Sequence, residues 1–345
     1  MNENQEAGVI TASRTQTDSN PALVKQGESK GFLARVTKAP EFRLMLISLA
    51  ALVFLSLRSD AFLTVNNFRS VGLDFAFIAI AGLGLLFVIV VGGIDLSIGA
   101  NVGLSGMVAA TLMAGGTPVV ISVLAALAVG AVIGAINGGM NTIFGISSFV
   151  VTLATLQIAR GITVGFKQGA SVSGLPPSFL DIGSNNVLGV PIPVVIVAVL
   201  AVVVTFVLRR TAVGREFYAI GGSRQAALMA GVVVRRRVVA AFILSGVFAA
   251  LTGVLITARL GSAVPNAGLG FELTVIAAAV IGGASLSGGS GTAVGVLLGA
   301  FLLALVNNGL VLLSVPTYWQ QAFVGCVILI AAILDRLRRR GGASN

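Results

Sequence analysis

The chain has 345 residues, of which 56% are hydrophobic and only 10% are charged. An ordinary soluble domain carries roughly 25% charged residues, so a soluble fold would leave much of this apolar surface in water. The composition therefore excludes an ordinary soluble protein and predicts an all-α integral membrane protein. Its 44 glycines suit helices that pack with their backbones close together.

The formal net charge of +10 would suggest nucleic-acid binding in a soluble protein. Here the positive charges lie in three polar blocks between or beside apolar runs. Six of the 22 Lys and Arg residues precede residue 44, seven lie between Arg209 and Arg237, and four lie between Arg336 and Arg340. This is the distribution that the positive-inside rule describes, and it argues against nucleic acid as a partner.

Ten apolar runs follow one another along the chain, and we predict about ten transmembrane helices. The first is short without its flanking residues, and the eighth leads into glycine-rich sequence that predicts a broken or re-entrant segment. The predicted spans are residues 44–57, 71–91, 96–114, 119–136, 146–164, 191–208, 238–258, 272–281, 292–313 and 318–334.

Charge supports this count. With the N-terminus in the cytoplasm, six crossings return the basic loop at 209–237 to the cytoplasm, and four more return the C-terminus. All three basic blocks then lie on one side, as the rule requires. We expect a disordered cytoplasmic tail over residues 1–43, a transmembrane domain over 44–335 and a basic cytoplasmic tail over 336–345. Residues 1–30 lack the apolar core of a cleavable signal peptide.

Catalytic constellations are absent from the sequence. The chain has no histidine and no pair of acids or metal-ligand cluster, so we predict no catalytic residue, no metal and no cofactor. The run LSGGS at 286–290 resembles part of an ATP-binding site, but the chain has no GxxxxGK[ST] loop to hold phosphate. We interpret that run as a tight glycine-rich turn.

Ionisable residues within membrane spans are costly unless they face water or a partner. Asp95 lies in the break between the second and third spans, where it can either line a solute path or cap the following helix. Glu272 opens the eighth span and favours a helix-start role over solute contact. Arg160 favours snorkelling or a structural pair, and Arg259 is a possible partner of Glu272.

Uncharged polar residues within the spans can hydrogen-bond a solute, although bonds between helices are commoner for any one of them. With the acids, they complete the set of candidates for the solute path. That set is Asp95, Ser97, Asn137, Asn141, Thr152, Gln157, Glu272, Asn307 and Asn308.

The loop between the sixth and seventh spans contains a short predicted helix. Ser223 is a good N-cap, the following residues favour helix, and Gly231 suits the position after the C-cap. Such a helix is suited to docking another protein, and a membrane-surface helix held by Arg235, Arg236 and Arg237 is a compatible alternative. The predicted docking residues are Arg215, Ser223, Gln225, Ala226, Ala227 and Gly231.

Three stretches resemble the permeases of bacterial ATP-binding-cassette importers for monosaccharides of the ribose, xylose, arabinose and galactose type. The first is GGIDLSIG at 92–99, which is echoed at five of eight positions by GGASLSGG at 282–289. The second runs from Gly214 to Gly231. The third comprises residues 258–289 with the motif NNGL at 307–310.

The resemblance implies a permease subunit in the bacterial inner membrane, with both termini cytoplasmic. Its implied partners are a cytoplasmic ATPase that binds the ATP, a periplasmic sugar-binding protein and a second permease copy. Two rivals stay open: the same machine carrying a nucleoside or another small polar solute, and a self-sufficient secondary transporter. The sequence has no histidine and no series of acidic residues through its spans to relay protons, which argues against the secondary transporter. Gln225, Leu228 and Thr274 depart from the usual residues of the family.

Overall fold

The fold is taken from a computed structural model of the chain. It describes residues 40–316 and, beyond them, Trp319, Ala322, Phe323, Gly325, Cys326 and Leu329. Residues 1–39 of the predicted N-terminal tail (1–43) and the predicted tail at 336–345 lie outside the described residues, as does most of the tenth predicted span.

Helices make up almost all of the described structure, because apolar segments in lipid must satisfy their backbone groups internally. In chain order they are α1 (Pro40–Arg58), α2 (Val65–Val90), α3 (Ile98–Ala114), α4 (Val119–Ile143), α5 (Ser148–Phe166), α6 (Pro177–Ser184), α7 (Ile192–Arg210), α8 (Ala212–Gly222), α9 (Arg224–Met229), α10 (Val234–Leu260), α11 (Phe271–Ile281) and α12 (Ala293–Leu312).

Six of these helices are long and apolar enough to cross a membrane: α2, α4, α5, α7, α10 and α12. Two shorter apolar helices, α3 and α11, follow or precede glycine-rich breaks. The predicted count of about ten spans is therefore not confirmed in the described part of the chain, although every predicted run before residue 314 contains a helix. Helix α1 begins at Pro40, four residues before the predicted boundary at 44.

Helices α2 and α10 form the centre of the bundle. Helix α10 packs against α2, α3 and α4, and α2 packs against α7, α11 and α12. The inner side chains of α2 include Leu83, Leu85 and Leu86, which are fully buried. By contrast, α4, α5 and α7 leave most of their residues at least partly exposed, as helices that face lipid would.

Glycines bring α4 and α10 into backbone contact. A methyl group added to Gly134 would overlap the carbonyl oxygen of Phe242, and one added to Gly130 would overlap that of Gly246. A methyl carbon added to Gly138 would similarly lie 2.7 Å from the Cα atom of Val239. Residues spaced by four thus form one small-residue seam on α4, the arrangement that lets membrane helices approach closely.

The segment between the fifth and sixth predicted spans has secondary structure of its own. It contains α6 and a hairpin in which β1 (Asn186–Val187) pairs antiparallel with β2 (Val190–Pro191). Leu188 and Gly189 both have positive φ, which is the backbone of the tight turn that two-residue hairpins favour. The loop is joined to the rest of the fold by paired backbone bonds between Val172 and Ala263.

Candidate functional site

Asp95 is the centre of a buried hydrogen-bond network in the break between α2 and α3. Its Oδ1 atom accepts from the backbone N–H of Ser97 at 2.9 Å and from the Ser97 hydroxyl at 2.6 Å. Its Oδ2 atom accepts from the hydroxyl of Ser245, on α10, at 2.8 Å. Asp95 is 1% exposed, so both carboxylate oxygens are used inside the protein.

The network extends to α4 and α5. Asn137 donates to the Ser97 hydroxyl at 2.9 Å and accepts from Thr155 at 2.7 Å. The Thr152 hydroxyl accepts from the backbone N–H of Leu96 at 3.1 Å. Asp95, Ser97, Asn137 and Thr152 are all buried. These four predicted path residues therefore join the non-helical segment to three neighbouring helices, and none faces an open space.

Three other candidates lie apart from this network. Asn141 donates to the carbonyl oxygen of Ile146 at 2.9 Å, close to the end of α4. Gln157 is exposed on α5. Asn308 exchanges amide hydrogen bonds with Asn67 at 2.6 and 3.2 Å, which fastens α12 to the start of α2.

A cavity of about 790 Å³ with polar groups in its wall lies between α2, α11, α12 and the segment that joins α10 to α11. Glu272 and Asn307 are the two predicted path residues that line it. The wall contains polar, aromatic and aliphatic groups. The lining residues are Asp74, Phe77, Ile78, Ile256, Asn266, Gly268, Leu269, Gly270, Phe271, Glu272, Leu273, Thr274, Asn307, Val311 and Gly325.

Glu272 is held at the first turn of α11 beside α3. Its Oε2 atom lies where a methyl group on Gly99 would be, and this atom is buried without a hydrogen-bond partner among the described residues. Arg160 is the guanidinium that acts electrostatically on Glu272, and it also donates to the carbonyl oxygen of Ala267 at 2.8 Å. Arg160 is thus structurally engaged, as predicted.

The predicted pairing of Arg259 with Glu272 is wrong. Arg259 instead acts electrostatically on Asp74, at the other side of the cavity wall. The loop at 261–270 folds back so that Ala267 and Gly268 lie over α3, and this brings α5 rather than the end of α10 to Glu272. The positions of Arg160 and Glu272 in the sequence did not indicate this contact.

The predicted docking helix is present as α9. The Ser223 hydroxyl accepts from the backbone N–H of Ala226 at 3.2 Å, which confirms the N-cap. Gly231 has φ +81°, and the N–H of Val232 donates to the carbonyl oxygen of Ala227 at 3.0 Å, which closes the helix end as glycine does after a C-cap.

Most of the predicted docking residues face outward. Arg215, Ser223, Gln225, Ala226 and Gly231 are exposed, whereas Ala227 is 3% exposed and packs into the bundle. Leu228 and Met229 next to it are 55% and 87% exposed. The outer side of α9 therefore exposes two large apolar side chains next to the polar Arg224 and Gln225.

Helix α8 rests on both glycine-rich breaks. A methyl group on Gly221 would overlap the carbonyl oxygen of Val90 and the backbone nitrogen of Gly289, and the N–H of Gly289 donates to Val90 at 2.9 Å. The Tyr218 hydroxyl donates to the carbonyl oxygen of Gly291 at 2.7 Å. Burial raises the pKa of Tyr218, against a smaller opposing effect of Arg209, so the donating proton is retained.

The echoed motifs GGIDLSIG and GGASLSGG meet at this point. A methyl carbon added to Gly92 of the first motif would lie 3.7 Å from the carbonyl oxygen of Ser287 in the second. Gly288 and Gly289 have φ +89° and +75°. This confirms a tight glycine-rich turn at 286–290 and shows that the two breaks and α8 form one junction.

Comparison with known proteins identifies the family. The family described as "Branched-chain amino acid transport system / permease component" matches residues 68–332, which include every helix from α3 to α12. The chain belongs to this family. It is therefore a permease component, a transport subunit rather than an enzyme, and the expectation drawn from the resemblance is confirmed at this level.

Several curated relatives of the permease cover most of both chains. The D-allose transport system permease protein AlsC of Escherichia coli (strain K12) is 40% identical over 293 residues, 85% of this chain and 90% of the relative. The ribose import permease protein RbsC of Bacillus subtilis (strain 168) is 39% identical over 82% of this chain and 89% of its own length. The L-arabinose ABC transporter permease protein AraH of Azospirillum brasilense is 34% identical, with 86% and 87% covered. No solved structure matches the permease.

Sequence reasoning missed Asp74 as a cavity residue of the permease. The signal was available, because a carboxylate inside the second apolar run is itself a functional hypothesis. Asn266 was noted only as part of a motif, and Ser245 was not singled out. For Ser245 no local signal exists, because its partner Asp95 is 150 positions away in the chain.

Proposed function

We propose that this permease forms the path for a monosaccharide in an ATP-binding-cassette importer. The observation that carries the proposal is its likeness, at 34–40% identity over most of both chains, to permeases named for allose, ribose and arabinose. Membership of a permease family and the cavity between α2, α11 and α12 support the same conclusion.

The chemistry of the cavity supports a polyhydroxylated solute. Asp74 and Glu272 supply carboxylate acceptors, and Asn266 and Asn307 supply amides that both donate and accept. Phe77 and Phe271 add apolar faces on which the C–H groups of a sugar ring can pack. Sites for small ligands commonly combine apolar walls with a few placed polar groups, in volumes of roughly 300–1,000 Å³.

We assign two roles to the predicted path residues. Glu272 and Asn307 contact the solute, which is supported by their place on the cavity wall. Asp95, Ser97, Asn137 and Thr152 hold the break after α2 in position, which their burial and mutual hydrogen bonds support.

The power comes from a partner ATPase, which binds the ATP, and a periplasmic binding protein delivers the sugar. The exposed apolar side chains of Leu228 and Met229 on α9 support docking of the ATPase there. Both termini and the 209–237 loop are cytoplasmic in the proposed orientation, which the positive-inside rule supports. A second copy of this chain completes the path, and no metal or other cofactor takes part.

The solute class is tested by uptake into proteoliposomes that contain the full assembly with its cognate ATPase and binding protein. We expect ATP-dependent uptake of at least one of labelled D-allose, D-ribose and L-arabinose, and unlabelled sugar should suppress it. Excess uridine or L-leucine should leave that uptake unchanged. Transport of uridine or leucine in place of all three sugars would refute the monosaccharide assignment.

A further inference from the structure

A second cavity lies on the outside of the bundle, at the end that carries the 211–233 segment with α8 and the docking helix α9. It has a volume of about 640 Å³ and runs between the last turns of α4 and the first turns of α10. The small residues Ala135, Gly139 and Ala240 line it, together with Ile143. Arg235 and Arg236 form its polar end. It is separate from the cavity proposed for the solute.

The two arginines at this groove are unpaired. Arg235 and Arg236 are exposed and have no hydrogen bond or ion pair with any described residue. Their neighbour Arg237 is different, because it pairs with Glu216 of α8. Two adjacent guanidiniums at the end of an apolar groove therefore have donors available for an anion.

The walls of the groove continue into the lipid-facing surface of α4. Val132, Ile136 and Met140 are exposed along that helix, at 58%, 52% and 39%. Gly139 leaves the groove open, since an added methyl group there would meet only the Cδ1 atom of Ile143, at 3.9 Å. A ligand that fits must carry an anionic head for the arginines and an extended apolar chain for the helix surfaces.

We infer that this groove binds an anionic phospholipid. The phosphate of the headgroup contacts Arg235 and Arg236, and an acyl chain lies along Gly139 and the exposed face of α4. Basic pockets between membrane helices bind anionic headgroups in this way, and each arginine near the surface contributes appreciably to the attraction. Free phosphate would use the arginines alone and leave the apolar groove empty.

The test measures lipid binding to the purified full chain in neutral detergent by native mass spectrometry, with phosphatidylglycerol and phosphatidylcholine as probes. The wild-type chain should retain phosphatidylglycerol in preference to phosphatidylcholine, and excess inorganic phosphate should not displace it. The double variant Arg235→Ala/Arg236→Ala should bind phosphatidylglycerol roughly 30-fold more weakly. Gly139→Leu, which fills the groove without touching the arginines, should also weaken it.

Arg209→Ala/Arg210→Ala is the matched control, because these exposed adjacent arginines flank the same 211–233 segment and do not line this groove. It should bind the lipid as the wild type does. Equal binding of both lipids, equal loss in the control pair, or full displacement by phosphate would overturn the inference. So would unchanged lipid binding by Arg235→Ala/Arg236→Ala with loss of the ATPase, which would assign the arginines to protein docking.

Discussion

At the scale of the residue, the two acids singled out in the sequence have opposite surroundings. Asp95 is 1% exposed and both its oxygens accept hydrogen bonds from the protein. Glu272 lines a cavity and keeps one oxygen without a partner among the described residues. A buried carboxylate whose two oxygens are satisfied by the fold holds structure together, whereas a carboxylate on the wall of a cavity can reach a ligand.

Replacing Asp95 should therefore act on stability. Asp95→Ala removes the acceptor of two serine hydroxyls and one backbone N–H, all of them buried, so we expect the free energy of unfolding to fall by about 2–4 kcal/mol. Denaturant or thermal unfolding in one detergent measures this effect. Gln157→Ala, at an exposed position, is the control and should change little. Full stability of Asp95→Ala with loss of transport would assign Asp95 to the path instead.

Replacing Glu272 should act on transport. Glu272→Gln keeps the shape of the side chain and removes the charge that accepts from a solute hydroxyl, so uptake at low solute concentration should fall about tenfold or more. The unfolding temperature should stay near that of the wild type. Asn307→Ala should lower uptake in the same direction, and normal uptake by both variants would exclude the cavity as the solute site.

At the scale of the element, α8 is the part of the 211–233 segment that contacts the two glycine-rich breaks. Gly221 and its neighbour Gly222 provide a matched pair, because a methyl group overlaps backbone atoms at the first and meets nothing within 4 Å at the second. We expect Gly221→Ala to push α8 off the two breaks and reduce ATP-driven uptake about tenfold or more, while Gly222→Ala transports normally. Equal uptake by the two variants would contradict a role for this contact.

The seam between α4 and α10 makes a comparable prediction for folding. Gly134→Ala forces the two helices apart, and overpacking of this kind costs about 1–3 kcal/mol. Gly161→Ala on α5, where nothing lies within 4 Å, should not destabilise the chain. The difference between their unfolding temperatures in one detergent measures the effect. An equally stable Gly134→Ala would mean that the seam relaxes at no cost.

At the scale of the whole molecule, local patterns predicted well and long-range contacts did not. Apolar runs placed the helices to within a few residues at most ends, and Ser223 and Gly231 marked both ends of α9. Both signals are local, since they depend on neighbours in the chain. The partner of Glu272 was mistaken because the fold brings Arg160 to it across more than a hundred residues.

The same limit applies to the site. Asp95 had two open roles in the sequence, and only the position of Ser245 on α10 distinguishes them. The cavity is lined by residues from α2, α11, α12 and a loop, and no spacing in the sequence predicts that these residues meet. Motifs shared with sugar permeases indicated the kind of machine, because they lie at its breaks and its docking segment rather than around its solute.

The central claim is that this chain forms the path for a sugar and that a partner ATPase supplies the energy for transport. The most direct test is uptake of labelled D-allose, D-ribose and L-arabinose into proteoliposomes that contain this chain alone or the chain with its ATPase and binding protein. We predict uptake only in the full assembly and only with hydrolysable ATP. Uptake of a sugar by the chain alone, unchanged by ATP, would contradict the account.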